Sequence, residues 1–595
     1  MNRIECMKAQ QMVIACIRVI LNLPALRTGG LLDSVELWRC RIKFGMTFFN
    51  WGMALTISFI IFFFTVPSFA QQNIKSEEVD VVKAYQPLLA DAVKIPLHAE
   101  PAPVDTAMQP LKYDVKQHVV SLPFTPSEIK PLALPQQEMA PLHNNLIKAG
   151  AGTQLTPLFE VYLGNGRSDK YSYGANFHYL SSHATGMDYQ DVSHLGGNVS
   201  GTSYFKSTAL SGGIGYDQDV YHFYGFDPAF TDTANQFSKD LLKNQFQNFS
   251  LNLGLGNTKP TKSEVDYDFQ FRFHDLRRKP GSGMLDDLKE DYFRFDARLG
   301  KTIQKVHHAN LDLGFERENF SSSMDTAIDY FSILPNYEYR KAKLFLKAGV
   351  NLEIVDGGFI VNPVAEGSYE VIGDYLIPYA GIFGGNRPNT LKEVSDVNPF
   401  IAYYAPATSE VLEGYGGVKG SYGNNISYNA RLSYGKQTNV PFYHTIGENP
   451  SLFTTYYYYE AMVLRLRIEV GYKQSERLNL LVSGETSSWD LDYDDEPIGI
   501  PKSKLSFSAN YNIQNKIIFT GDLFLQSGAF AFNETDSVTT QMKGRIDVNL
   551  GATYNYKKNI GFWVSLNNIT ASKQREWSNY PTYGLVAMGG VLLKF

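Results

Sequence analysis

The chain has 595 residues, a formal net charge of −6 and a mean hydropathy of −0.22. So small a charge over such a length, with no basic cluster interleaved with aromatics, excludes a nucleic-acid binder. The hydropathy excludes a bundle of membrane helices, but not a barrel of alternating strands, whose polar and apolar positions average out.

The one long apolar run near the start is Met53 to Val66, preceded by Arg39, Arg41 and Lys43 and followed by Ser68-Phe69-Ala70. It reads as a secretory signal cleaved after Ala70, with residues 1–45 an unusually long leader consistent with a start site placed too far upstream. The three cysteines, Cys6, Cys16 and Cys40, all precede that point. The exported chain therefore carries no disulfide, thiol nucleophile, cysteine metal ligand or lipoprotein anchor. Residues 71–143 form a second segment, opened by Glu77, Glu78, Val79, Asp80, Val81 and Val82 and then crowded with prolines from Pro87 to Pro141. That proline density forbids ladders and helices and predicts an irregular periplasmic or lumenal stretch.

From residue 144 the pattern changes to a period of two. In Lys262–His274, Val265, Tyr267, Phe269, Phe271 and Phe273 alternate with Asp266, Asp268, Gln270, Arg272 and His274. Around Leu344–Ile354 the apolar positions alternate with a face that includes Lys343, Lys347 and Glu353. Leu464, Leu466, Ile468 and Val470 face away from Arg465, Arg467 and Glu469, and Arg545 and Asp547 open a later strand. Such runs exceed the roughly 5–6 residues of a soluble strand and match the ~9–11 of a membrane crossing. Charges in mid-strand predict an apolar outside and a polar lumen, so Lys343, Lys347, Glu353, Arg465, Arg467, Glu469, Arg545 and Asp547 are expected to face inward. They read as a solvated wall before they read as a selective site. The Tyr456–Tyr459 run suits a strand entering the headgroup region.

Connections alternate in length along the chain. Short turns are expected at Gly164–Lys170, Gly256–Lys262, Gln304-Lys305, Arg340-Lys341, Gly423–Asn425, Lys473–Arg477, Gln514–Lys516 and Lys557–Asn559. Long loops fall between them, including 222–244, 384–407 and 570–583, with Asp356-Gly357-Gly358 a tight turn on the loop side. The fold class is thus all-β, a large antiparallel transmembrane barrel of about 22 strands, with 18 or 20 as the other even counts. Its last strand presents Leu585, Ala587, Gly589, Val591 and Leu593 on one face and ends at Phe595. The ending Gly590-x-x-Leu593-x-Phe595 resembles the signal by which the barrel assembly machinery recognises outer-membrane barrels.

A barrel of this size behind an export signal resembles that of a TonB-dependent receptor. The block Asn398-Pro399-Phe400 through Gly414–Gly420 and Asn425–Asn429 is similar to the later barrel of that family, and Glu77–Val82 resembles its energy-coupling segment. The resemblance implies an outer-membrane location, surrounding lipid, a small solute and an energising partner. The chain departs from the family in offering only the proline-rich segment where a folded plug domain would stand. A wide lumen then needs another filling: that segment, inward-folded loops such as 222–244 and 384–407, or a second protein.

Catalytic signals are sparse. Asp490, Asp492, Asp494, Asp495 and Glu496 lack an EF-hand frame and read as a solvated loop. His183 and His194 bracket a loop holding Asp188 and Asp191, a pattern that a rim hydrolase would use. There is no phosphate-cradling glycine loop, zinc spacing or nucleophile elbow. No cofactor or metal is expected. The sequence supports transport as channel or partner-plugged importer first, a structural or docking component of the envelope second, and a rim enzyme last.

Overall fold

A computed structural model describes residues 145–595 except 166–167, 185, 227–236, 260–263, 282–284, 324, 448–449 and 492–495. The signal, the proline-rich stretch, Glu77–Val82 and most of the acidic loop therefore lie outside the described residues. Twenty-two antiparallel strands form a closed ring. Each pairs with its neighbours in the chain, and the first, Leu146–Gly152, closes the ring by pairing along its whole length with the last, Val586–Lys594. Closure removes the free edges that an open sheet would present, the requirement for crossing lipid with strands.

The two-residue period sets the faces. Leu464, Leu466, Ile468 and Val470 are exposed, while Arg465, Arg467 and Glu469 between them are half-buried. Exposed apolar rows recur around the ring, for example Leu505 and Phe507, Leu253 and Leu255, Phe562 and Val564. A continuous apolar outer belt is unstable in water and matched to a hydrocarbon slab. Exposed aromatics flank it next to the short turns, among them Tyr171, Tyr337, Tyr422, Tyr511 and Phe595. The Tyr456–Tyr459 run lies inside the strand Leu452–Gln474, with Tyr459 exposed and Tyr458 buried.

All eight expected short turns fall on one end of the ring, the end that also holds Asn145 and Phe595, and the long loops fall on the other. The turn expected at Arg340-Lys341 is shifted to Ala342-Lys343, so Lys343 sits in a turn and not in the wall. Asp356-Gly357 is the tight loop-side turn, both residues at positive φ (46° and 79°), as a two-residue hairpin of primed type requires. Two short-turn-side connections, 205–207 and 370–376, had no clear signal in the sequence.

Wall height is uneven. The strands Ile426–Ile446 and Leu452–Gln474 run to 21 and 23 residues. Those nearest the ring closure are 8 (Ile560–Asn567), 9 (Val586–Lys594) and 7 (Leu146–Gly152) residues long. The tall pair rises past the membrane on the loop side.

Candidate functional site

The polar rows carry ion pairs between neighbouring strands. Arg467 meets Glu485 at 2.5 Å, with Arg465 on the same carboxylate at 3.5 Å. Arg431–Glu413, Arg294–Glu316, Arg298–Asp312 and Arg272–Asp296 span 2.5–2.9 Å. Half-exposed pairs of this kind contribute little each, of order 0–1 kcal/mol. Of the residues expected to face inward, Lys347 approaches Glu338 at 3.8 Å and Arg545 meets Glu576 at 2.9 Å. Glu469 follows Arg467 and Asp547 follows Arg545 in the same rows.

Glu353 corrects the solvated-wall reading at its position, because it is fully buried. Its Oε1 accepts from the Tyr330 hydroxyl (2.5 Å), Asn351 Nδ2 (2.8 Å) and the Asn386 backbone N–H (3.0 Å). Its Oε2 accepts from Asn362 Nδ2 (2.9 Å) and Asn386 Nδ2 (2.7 Å). Five neutral donors from four consecutive strands satisfy the carboxylate, as a buried charge demands. It is a knot in the wall, closed to solute.

The main feature is at the loop end. Loop 390–406 begins with a short helix, α1 (Leu391–Val397), N-capped by Thr390, whose hydroxyl accepts the Glu393 N–H. Three residues further on, Phe400, Ile401 and Tyr404 are buried. They pack with Phe223, Leu242, Phe246, Leu276, Leu288 and Phe320 on one side, and with Tyr443, Phe453, Trp577 and Tyr580 on the other. Phe246 belongs to the sixth strand of the ring and Phe453 to the sixteenth, ten steps apart where diametric opposition is eleven. A segment that touches both must lie within the ring. Loop 390–406 and the hairpin Arg575–Pro581 of the last loop thus bridge opposite walls across the mouth.

Hydrogen bonds fix this closure to the wall. Asn244 Nδ2 donates to Pro399 O (2.7 Å), and the buried Arg278 guanidinium donates to Ile401 O (2.7 Å) and Ala402 O (2.9 Å). The Glu290 carboxylate accepts the Leu391 N–H at the start of α1, and Tyr404 donates to Glu318 (2.9 Å). From the other side, Tyr580 donates to Ser451 O (2.6 Å), Tyr583 to Gln190 O (2.5 Å) and Tyr224 to Pro581 O (3.1 Å). Burial, and next the Glu318 carboxylate, pushes the Tyr404 phenol well above its ordinary range. Burial does the same to Tyr580, Tyr224 and Tyr583. All four remain donors at neutral pH. On α1, burial opposes the charge on Lys392, but Asp396 at 2.7 Å prevails and raises it.

The sequence reading named 384–407 as one loop able to fold inward, but it missed the wall residues that receive it. Their signal was present. Phe246, Leu276, Leu288 and Phe320 lie on the polar rows, in register with Asn248, His274, Glu290 and Glu318, and interrupt those rows only at the loop-side ends. The rim histidines are hydrogen-bonded to carboxylates: His183 to Asp191, which also holds Lys239 at 2.7 Å, and His194 to Asp219 at 2.6 Å. They form two separate pairs and do not converge on one centre. Among the described residues no cluster of metal-ligating side chains occurs.

Comparison with solved structures places the architecture. The ferric-catecholate import receptor Fiu of E. coli K12 superposes with a TM-score of 0.59 at 10% identity, over 76% of this chain and 82% of that one. The siderophore receptor PirA of Acinetobacter baumannii gives 0.60 at 9%, over 76% and 80%. The fold is the closed 22-strand barrel that these structures share. The FrpB iron transporter of Neisseria meningitidis matches equally, with a TM-score of 0.59 at 10% identity over 76% and 81%. No family model and no curated protein sequence matches the chain. The likeness to the TonB-dependent receptor barrel is thus one of architecture, held at an identity where few side chains are shared.

Proposed function

We propose that the protein is an outer-membrane barrel that moves a small solute inward through a lumen gated at its loop side. The observation that carries this reading is the closure across the mouth, in which two loops anchored on opposite walls meet in one apolar core. A passive pore has no use for such a core, whereas a receptor that opens only for its solute does. The charged rows, among them Lys347, Arg465, Arg467, Glu469, Arg545 and Asp547, line the path beneath. Glu77–Val82 would engage an energising protein from the periplasm, and the signal ahead of Gln71 would deliver the chain to the outer membrane. Gly590, Leu593 and Phe595 would present it to the barrel assembly machinery. The fold of the iron-receptor barrels supports this reading without naming the solute.

A second reading rests on the same core. A closure this well packed also suits a barrel that never opens and serves as a dock for envelope proteins. Single-channel recording in a planar bilayer separates the two. The chain from Gln71 is compared with a version in which 391–404 is replaced by a short glycine-serine linker. Silence from the first and large conductance steps from the second support a gated lumen. Steady conductance from the intact chain refutes the gate, and silence from both, with heat-modifiable migration proving insertion, favours the dock.

A further inference from the structure

One joint of the ring is only half made. The twelfth strand, Gly358–Tyr369, and the thirteenth, Ile377–Asn389, pair only from Val364 with Phe383 to Ser368 with Tyr379. Toward the loop side both strands run on without each other, while each keeps its ladder with its other neighbour. Across the two-residue turn, Val355 and Gly358 are a hydrogen-bonded pair, so Phe359, Val361 and Pro363 point their backbone groups at the thirteenth strand. Continued register would set Gly384, Asn386 and Pro388 against them. Pro363 and Pro388 have no N–H to give, and the Asn386 N–H goes to Glu353 at 3.0 Å. The residues at these positions thus leave this half of the ladder unmade.

The two strands overlap there instead of meeting edge to edge. Asn351, Glu353 and Asn362 belong to the inward rows, alternating with the exposed Val350, Ile354, Phe359 and Val361. All three touch the thirteenth strand. Glu353 holds the backbone and the side chain of Asn386, and Asn351 Nδ2 donates to Gly384 O at 3.4 Å. A Cβ on Gly384 would stand 2.8 Å from Asn362 Cβ. The loop-side half of the thirteenth strand therefore lies inside the twelfth, brought close by the bare Gly384 and Gly385. It leads straight into loop 390–406 and is tied to it by Arg387–Glu393 (2.9 Å) and by Asn389 O, which accepts from Tyr404. With 12 residues each, the strands Leu344–Val355 and Gly358–Tyr369 only just cross the membrane, so the overlap lies at the depth of the loop-side leaflet.

We propose that this overlap is a side door between the lumen and that leaflet, latched by Glu353. Closed in this structure, it parts when loop 390–406 loosens, because the thirteenth strand moves with the loop and Glu353 loses Asn386. A door onto hydrocarbon serves a solute that partitions there, and the latch carries a single, negative charge. The solute class is therefore a single-chain amphiphile with an uncharged or cationic head. The inference rests on the gated lumen proposed above and adds the route and the chemistry of what travels.

The chain from Gln71 has no cysteine, so Lys347→Cys, on the inward row of Glu353, can carry a bimane fluorophore. A monoacylglycerol with a nitroxide on its chain is added to proteoliposomes, and quenching of the fluorophore is timed. Asn362→Cys with Gly384→Cys, oxidised before labelling, locks the joint, since the two Cβ atoms nearly meet. The lock should slow quenching about tenfold, and Glu353→Ala should speed it about tenfold for the hydrogen bonds lost. A water-soluble nitroxide should respond to neither. Heat-modifiable migration shows whether each variant is folded, and the lock alone decides if Glu353→Ala fails to fold. Equal quenching with the joint locked and free would overturn the door, as would an equal response of the water-soluble nitroxide. If replacing 391–404 opens conductance while the lock has no effect, the gated lumen survives and the door alone falls.

Discussion

The rings of Phe400 and Tyr580 stack at 3.8 Å between centroids with their planes 23° apart, although one comes from the loop after the thirteenth strand of the ring and the other from the loop before the last. Tyr224 packs edge-on against both rings, at 5.7 and 4.9 Å. Each loop buries its aromatic in large part against the other. Phe400→Ala should therefore release both loops together. The expected cost is about 3–5 kcal/mol of local stability, the usual range for emptying a packed aromatic site. Protease sensitivity should appear in 390–406 and in 568–585 at the same concentration, with the strand amides still protected from hydrogen exchange. Exposure of only one loop would refute the coupling.

Glu290 is fully buried and spends its carboxylate on the Leu391 N–H and on His274 Nε2, the latter at 2.7 Å. Glu290→Gln keeps the shape but replaces one acceptor oxygen by a donor. A buried hydrogen-bonding group left without its partner costs about 1–3 kcal/mol, so α1 should loosen by roughly that amount. Faster exchange of the amides of 391–397, with the strand Leu288–Ile303 unchanged, is the expected readout.

The four phenols of the closure give it an alkaline limit. Tyr404, Tyr580, Tyr224 and Tyr583 all donate hydrogen bonds, and burial raises the pKa of each above the ordinary 10.0. A raised pKa in the folded state means a contribution fully present below about pH 10, which is lost as pH rises through the higher folded values, because only the released phenol ionises readily. Conductance should be absent near neutrality and appear as the bath is taken above about pH 10. Tyr404→Phe should blunt that onset, and a response centred near neutral pH would show that other groups control the mouth.

Ring closure depends on glycine. A Cβ at Gly590 would meet Ala149 O at 1.9 Å and Gly150 Cα at 2.6 Å, and one at Gly150 would strike the Trp563 ring at 2.4 Å. Gly590→Val should leave most of the protein without the compact, heat-modifiable form on gels. Gly414→Val is the control, because nothing lies within 4 Å of a Cβ there. Equal migration of the two variants would mean that the first and last strands can part without cost.

The barrel was legible because its information is local. Alternation in Leu464–Val470 or Val265–Phe273 needs no partner to be read, and a short turn such as Gln514–Lys516 announces itself by composition. The closure was not, because its information lies in pairs distant along the chain. Nothing near Phe400 points to Tyr580, and nothing near Arg278 reveals that it will receive the carbonyls of Ile401 and Ala402. Alternation puts Glu353 on a polar row, but its burial is not legible there, since its five donors come from four different strands. What the sequence held, in hindsight, was the interruption of polar rows by Leu276, Leu288 and Phe320 at the loop side.

Asn145 and Phe595 exchange backbone hydrogen bonds in both directions, each at 3.1 Å. In topological terms the barrel is a circle whose first and last strands meet at an arbitrary point, so a permuted gene is conceivable that links Phe595 to Asn145 and cuts the chain at 514–516. Such a permutant would keep every ladder while moving the exit of the upstream segment to another position on the rim. Whatever that segment does could then be separated from where it is attached.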